Sequence, residues 1–307
     1  MALRTLEEIV ARKQIPDVLA VQTEVIESMS TFFTRNGFKW MLPVMLSFVT
    51  DPLWPEPSGS HIHAPEIEVY GKKMKLMHSM ILHKQISVAI GLDKLFVLSP
   101  NIRIERPERD DGVHAYEFTQ LDFEIAHATM RDVMKLVEAC VTHTVEKVRD
   151  SEALKTFGRE MHRFHTPFKV YRMQDVLAEY GSEKALSMAS EEPFWIIDIS
   201  REFYDKEDEK NPGHFLNYDL ILPEGYGEVL SGGEREHKYE RISARLEDGH
   251  LSPAAFWPYL ELARKGLLKP SAGGGIGVER FVRYITGRKH IEDVQVFPRV
   301  PGVPAII

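Results

Sequence analysis

Residues 96–105 and 116–125 alternate polar and apolar side chains with a period of two, the pattern of strands that bury one face. Arg103 and Glu105 share a face of the first, opposed by Ile102 and Ile104. Phe118, Gln120, Asp122 and Glu124 share a face of the second, opposed by Leu121, Phe123 and Ile125. The stretch between them, residues 106–115, gathers charge around Pro107 and Gly112 and reads as a turn. An antiparallel hairpin built this way displays an arginine, carboxylates, an amide and an aromatic ring on one surface. For an isolated hairpin a solvated polar face is the ordinary reading. A second feature argues for a site: residues 273–280 are a glycine run, Gly-Gly-Gly-Ile-Gly-Val-Glu-Arg, leading into an apolar-periodic segment. Glycine admits close backbone approach to a ligand, and Arg280 at the start of a helix is placed to meet a phosphate.

Taken together, Arg103 and Glu105, the Glu117-Phe118 strand and the run ending in Arg280 resemble the second and third signature motifs of the class II aminoacyl-tRNA synthetases. Residues 17–43, an apolar-periodic helix that Asp17 is placed to cap, then a short strand and Pro43, resemble the first motif, which forms the homodimer interface in that family. The likeness covers residues 17–302. It implies an α+β fold, an antiparallel sheet flanked by helices, that binds ATP with magnesium and joins a carboxylate to the α-phosphate. It also implies that Arg103 contacts the α-phosphate, Glu105 the adenine amino group, Phe118 the adenine face and Arg280 the γ-phosphate, with His114, Gly277 and Glu279 in the same nucleotide site. Arg103 and Arg280 are thereby the expected catalytic pair. The arginine that often precedes the family's histidine is Val113 here, which leaves Arg106 or Arg109 to substitute.

Residues 227–235, Gly-Glu-Val-Leu-Ser-Gly-Gly-Glu-Arg, resemble the aspartyl and asparaginyl branch. The likeness implies that Glu228 and Ser231 face ATP-bound magnesium, with Asp219 as a further ligand, and that Arg235 holds a substrate carboxyl or amide group. Hard oxygen donors of this kind suit magnesium. Ser79 to Gln85 is similar to an aspartyl segment in which Lys84 falls on the lysine that selects aspartate's negative charge. By the same likeness Gln120 and Asp122 receive the substrate's ammonium group. Two cations and an acceptor pair favour aspartate over asparagine.

Length and charge bound the partners. The 307 residues are expected to form one catalytic domain. Only about sixteen residues precede the first motif, too few for the five-stranded anticodon-binding barrel of such synthetases. The net charge is −8 and no lysine or arginine run stands out, so tRNA is not the expected partner. An acidic catalytic core equipped for aspartate resembles the archaeal asparagine synthetase related to asparaginyl-tRNA synthetase. That likeness implies the conversion of aspartate, ATP and ammonia to asparagine, AMP and pyrophosphate through a β-aspartyl-adenylate. Ala2 follows Met1 in place of an amidotransferase cysteine, so free ammonia is the expected nitrogen donor. The alternatives are a synthetase-like enzyme that passes aspartate to another acceptor, and a catalytically silent regulatory relative.

No stretch is apolar enough to span a membrane, and the single cysteine, Cys140, lies on a helical apolar pattern. A cytoplasmic homodimer with a buried thiol is expected. The proline-rich residues 50–65 read as an ordered loop or lid, and the His61 and His63 pair within it lacks the further ligands a metal needs. Ser79 is placed to cap a helix running to Ile90, residues 129–150 and 234–247 read as helices, and the charged residues 202–214 read as a solvated loop.

Overall fold

The computed structural model describes residues 5–53 and 65–305; most of the expected lid, including His61 and His63, lies outside them. The chain opens with helices α1 (Leu6–Val10) and α2 (Ile15–Arg35) and the short strand β1 (Lys39–Trp40). Val18, Val21, Val25, Met29 and Phe33 form one buried stripe along α2, the three-to-four spacing of an amphipathic helix. Asp17 lies within the first turn of α2. Gln14 takes the cap position without a side-chain bond, and proline stands in the first helical positions, where its missing N–H is harmless.

A small sheet of β2 (Leu46–Ser47), β3 (Glu66–Val69) and β4 (Lys72–Leu76) follows. Its β3–β4 turn uses Gly71 at a φ of +71°, which glycine adopts without strain. Helix α3 (Ile81–Ile90) starts after Met80, so Ser79 is not its cap residue, although the Ser79 hydroxyl accepts the Ile81 N–H at 3.3 Å. Strands β5 (Lys94–Ile102) and β6 (Glu117–Ala126) are the expected hairpin, with Asn101 opposite Phe118 and Val97 opposite Asp122.

Helix α4 (Met130–Val148) begins at a capping box made by Thr129 and Asp132. Helix α5 (Glu152–Lys155), strand β7 (Lys169–Arg172) and helices α6 (Met173–Tyr180) and α7 (Glu183–Ala189) lead to β8 (Phe194–Ile197). Strands β9 (Asn217–Leu222) and β10 (Gly227–Glu234) form a second hairpin. Helices α8 (Tyr239–Asp248) and α9 (Trp257–Arg264) precede β11 (Ser271–Gly277), which runs directly into α10 (Val278–Thr286).

The main sheet has the order β1-β5-β6-β11-β10-β9-β8-β7 and is antiparallel except at its two edge pairs. Helices α2, α4 and α10 cover one face, burying Leu121, Phe123, Leu230, Ile276 and Phe281 against Val25, Val137 and Cys140. Full burial of an aliphatic or aromatic side chain contributes roughly 1.5–3 kcal/mol. That helix layer fixes the register, because a one-residue slip would turn Asp122 into the core. The middle of the opposite face carries Gln120, Asp122 and Ser231. There the glycines serve close strand approach: a Cβ at Gly232 would strike the Gly273 carbonyl and the Tyr218 ring, and one at Gly275 would lie 2.7 Å from Asp122 Oδ1.

Two further expectations fail for physical reasons. Helix α8 begins at Tyr239, whereas Glu234 still belongs to β10 and Arg235 is buried just beyond it. The charged stretch 202–214 is not simply solvated: Phe203, Tyr204 and Asp205 are buried, with Phe203 and Tyr204 packed on Phe256 and Tyr259 of the α8–α9 cluster.

Candidate active site

Two adjoining cavities open on the polar face of β6, β10 and β11, and Arg103, Gln120 and Glu228 line both. The narrower one is further lined by Glu105, Val113, His114, Phe118, Gly277, Glu279 and Arg280. Arg103 sits just past the end of β5, where its N–H donates to the Tyr116 carbonyl at 2.8 Å. Its Nε donates to the His78 carbonyl at 3.2 Å, and its guanidinium lies 5.2 Å from the centre of the Phe118 ring. The two terminal nitrogens have no acceptor among the described residues, so they face the junction of the cavities as a free fork.

Around that fork the remaining groups are fixed by neighbours. Glu105 lies 3.8 Å from the Arg109 Nε. His114 Nδ1 is 2.8 Å from Asp111 and its Nε2 is 2.7 Å from Arg109 Nη2, so Arg109 stands beside the histidine. With Nδ1–H donating to the carboxylate, Nε2 is the acceptor of the Arg109 bond. Arg280 donates from Nη1 to the Glu228 carbonyl at 3.0 Å and to its carboxylate at 3.1 Å. Both oxygens of Glu279 accept the Thr119 N–H at 3.0 Å, which pins the strand beside Phe118. Burial, opposed by those hydrogen bonds, pushes the Glu279 carboxyl up to about 7.

The wider cavity, of about 200 Å³, is lined by Ser79, Lys84, Asp122, Ser231 and Arg235, and also by Asp51, Arg201, Glu202, Tyr204 and Asp205. Lys84 is 1% exposed. Its ammonium donates to Asp122 Oδ1 at 2.8 Å and to the Phe123 and Gly274 carbonyls at 3.2 Å each. All three of its N–H donors are thereby used. Asp122 Oδ2, also buried, has no partner among the described residues, and Gln120 beside it accepts from Asn101 at 2.8 Å. Arg235 donates from Nε to Glu124 at 3.1 Å and from Nη2 to the Gly273 carbonyl at 2.9 Å.

The expected residues other than Asp219 line the two cavities, and two roles differ from expectation, that of Lys84, whose donors are spent within the chain, and that of Asp219. Asp219, expected as a metal ligand, is clamped by Arg201, whose Nη1 donates to both of its oxygens at 2.7 and 2.9 Å. Burial first, opposed by Arg201 and reinforced by Glu228, pushes Asp219 up to about 6. Glu228, which lines both cavities, and Ser231, which lines the wider one, remain as oxygen donors. No group of three histidine, cysteine or acidic side chains placed to hold a metal occurs among the described residues. These donors fit a magnesium that takes most of its ligands from nucleotide phosphates, as magnesium commonly does.

Sequence reasoning missed the wall formed by Arg201, Tyr204 and Asp205, and it missed Glu124 as the partner of Arg235. The aromatic pair Phe203-Tyr204 inside the charged stretch was the available signal, since two adjacent large rings rarely stay in water. It also missed Glu183 on α7, whose carboxyl burial and the charges of Glu228 and Asp219 push up to about 8.

A family model described as class II tRNA synthetases (D, K and N) matches residues 4–301. The aspartate–tRNA(Asp/Asn) ligase of Methanopyrus kandleri is 32% identical over 312 residues, covering 94% of this chain and 68% of that protein. The asparagine–tRNA ligase of Pyrococcus abyssi is 26% identical over 312 residues, with 94% and 69% covered. Among solved structures, the asparaginyl-tRNA synthetase of Pyrococcus horikoshii complexed with asparaginyl-adenylate superposes with a TM-score of 0.85 at 25% identity, covering 98% of this chain and 74% of that one.

Proposed function

Because the chain belongs to the class II tRNA synthetases of the D, K and N group, a family of ligases, we propose that it adenylates the β-carboxylate of aspartate and transfers the aspartyl group to ammonia. The observation that carries the first half is the pair of cavities meeting at Arg103. One has an aromatic wall, three carboxylates and two arginines, suited to a nucleotide; the other has the buried guanidinium of Arg235, that of Arg201 and an aspartate oxygen unpartnered among the described residues, suited to a zwitterionic dicarboxylate.

In this reading adenine lies against Phe118 with its amino group toward Glu105, and the phosphates run past Arg103 and His114 to Arg280. Magnesium, when bound with ATP, neutralises phosphate charge, with Glu228 and Ser231 to hold it. The substrate ammonium group binds Asp122 Oδ2 and Gln120. A β-carboxylate oxygen attacks the α-phosphorus, the bond to pyrophosphate breaks, and the free fork of Arg103 takes the charge developing on the phosphoryl oxygens. Ammonia nitrogen then attacks the β-carbonyl carbon, the carbon–oxygen bond to AMP breaks, and one proton leaves the nitrogen to give the amide. Positioning and electrostatics suffice for both steps.

Support for ammonia as the acceptor is the acidic balance of the chain and its lack of a basic run. A second reading is favoured by the relatives themselves, which are named as ligases of tRNA: the aspartyl group passes to tRNA. Aspartate-dependent ATP–pyrophosphate exchange tests the adenylation common to both. Exchange with aspartate and none with asparagine is the expected result; exchange with asparagine alone removes the reading.

We also propose a homodimer built on α2 and β1, with residues 1–307 acting as one catalytic unit. The outer face of α2 and Trp40 line an apolar groove of about 680 Å³, and Trp40, Leu42 and Phe48 are exposed at 55%, 82% and 53%. Exposed apolar surface of this extent marks an interface.

A further inference from the structure

We propose that Arg201 forms, with Arg235, a two-arginine clamp for the substrate carboxylate that is not being activated. The proposal rests on the adenylation reading above and assigns its amino-acid specificity to a residue that lies outside the matched motifs.

The geometry starts from Asp205, which is 2% exposed and sits between the two guanidinium groups. Arg201 Nε donates to Asp205 Oδ2 at 3.3 Å, and Arg235 Nη1 lies 3.6 Å from Asp205 Oδ1, beyond hydrogen-bond length. Arg201 is held at two further points, by Asp219 through Nη1 and by the Gly232 carbonyl at 3.0 Å through Nη2. A guanidinium has five N–H donors. Nη1 of Arg201 is spent on the two oxygens of Asp219; one donor on Nη2 of Arg201, and both on Nη1 of Arg235, therefore lack an acceptor among the described residues. Both side chains line the same cavity and are only 17% and 4% exposed, so these donors call for an acceptor brought by a ligand.

A carboxylate is that acceptor. It has lone pairs on both oxygens, matches the planar fork of a guanidinium, and carries the complementary charge. When the side chain is the clamped group, an amide there would turn an NH2 donor toward N–H donors, so in that orientation the clamp selects aspartate against asparagine. Lys84 does not compete for this role, because its three donors are taken by Asp122 and two carbonyls. The ammonium acceptors Asp122 and Gln120 border the same cavity, which gives a three-point fit to the α-carbon substituents. The clamp works whichever carboxylate faces the nucleotide: the other one is held. For β-activation the α-carboxylate is the one clamped.

The test measures ATP–pyrophosphate exchange against aspartate and against ATP for the full chain and for Arg201→Ala and Arg201→Lys. Loss of a charge-assisted pair of bonds predicts an aspartate KM raised by about thirtyfold or more in Arg201→Ala. Arg201→Lys, which keeps the counterion of Asp205 and Asp219, should show a smaller rise of about tenfold and serves as the readout if the alanine variant does not fold. The ATP KM should stay within about threefold in either, and added guanidinium ion should lower the aspartate KM of the alanine variant. A merely structural role would raise both KM values together without rescue, and that result overturns the clamp, as does an aspartate KM within threefold of the parent. Absence of aspartate-dependent exchange in the parent chain overturns the adenylation reading itself, and the clamp with it.

Discussion

Replacing Lys84 by methionine separates two accounts of this lysine. If Lys84 is chiefly a substrate-reading cation, the variant should fold as well as the parent and differ in aspartate binding alone. The structure argues otherwise. Lys84 Nζ is 2.8 Å from Asp122 and 3.8 Å from Glu124, and all three side chains are at most 3% exposed. Methionine keeps the aliphatic volume but leaves Asp122 buried without a counterion, and breaking a buried pair from one side costs about 3–5 kcal/mol. Unfolding entropies near 2.1 cal/mol/K per residue give about 0.6 kcal/mol/K for a chain of this length, so Tm should fall by roughly 5–8 °C. The double variant Lys84→Met, Asp122→Asn removes both charges and should recover more than half of that loss. Differential scanning calorimetry of the parent, the two single variants and the double variant reads the coupling directly. A methionine variant destabilised by less than about 1 kcal/mol, or a double variant no better than the worse single one, would refute the reasoning.

Arg103→Ala removes the free fork at the cavity junction and should lower kcat for AMP formation about a hundredfold, on the order of 3 kcal/mol, with aspartate binding by calorimetry retained; unchanged turnover would dismiss the role. Glu183, whose folded carboxyl is pushed up to about 8 by burial and by Glu228 and Asp219, holds its proton more tightly folded than unfolded, so its contribution to stability is greatest below about pH 4.5 and is lost as pH rises toward 8. Glu183→Gln should therefore match the parent in Tm at pH 4.5 and exceed it at pH 8.5 by about 1–3 °C, on the order of 1–2 kcal/mol after allowance for partial exposure; an equal difference at both pH values would contradict the burial argument. For the dimer, Trp40→Glu with Leu42→Glu should convert the chain to monomers in sedimentation at micromolar concentration, because an interface of this kind buries more than about 1,000 Å²; a monomeric parent with full activity would end that proposal.

The β5–β6 hairpin and the α2 and α4 helices were legible in the sequence because their periodicities report which face is buried, and burial there is decided within each segment. Arg103 and Asp122 followed, since each lies on or beside one of those strands, whereas Glu228 on β10 was placed by the family resemblance of residues 227–235. Strand β11 was not readable as a strand: Gly273, Gly274 and Gly275 carry no side-chain pattern, and their extended form is imposed by pairing with β6 and β10. Arg201 and Asp205 were hidden for a different reason. A charged side chain is read as solvated unless its partners are known, and beyond Asp205 in their own stretch, those of Arg201 are Asp219, 18 positions away, and the Gly232 carbonyl, 31 positions away. Lys84 was placed in the right cavity with an incomplete role, because the two carbonyls that saturate it come from β6 and β11 and leave no trace in its own segment.

The central claim is the route from aspartate to asparagine through the β-carboxylate, and isotopes follow it directly. The full chain is incubated with ATP, magnesium, ¹⁵N-ammonium and aspartate labelled with ¹⁸O in its β-carboxylate, without RNA, and the products are read by mass spectrometry. The account predicts asparagine carrying ¹⁵N in its side chain, formed one for one with AMP, and AMP carrying one ¹⁸O from the carboxylate that attacked phosphorus. Unlabelled AMP, or pyrophosphate exchange with no asparagine until tRNA is supplied, would contradict it.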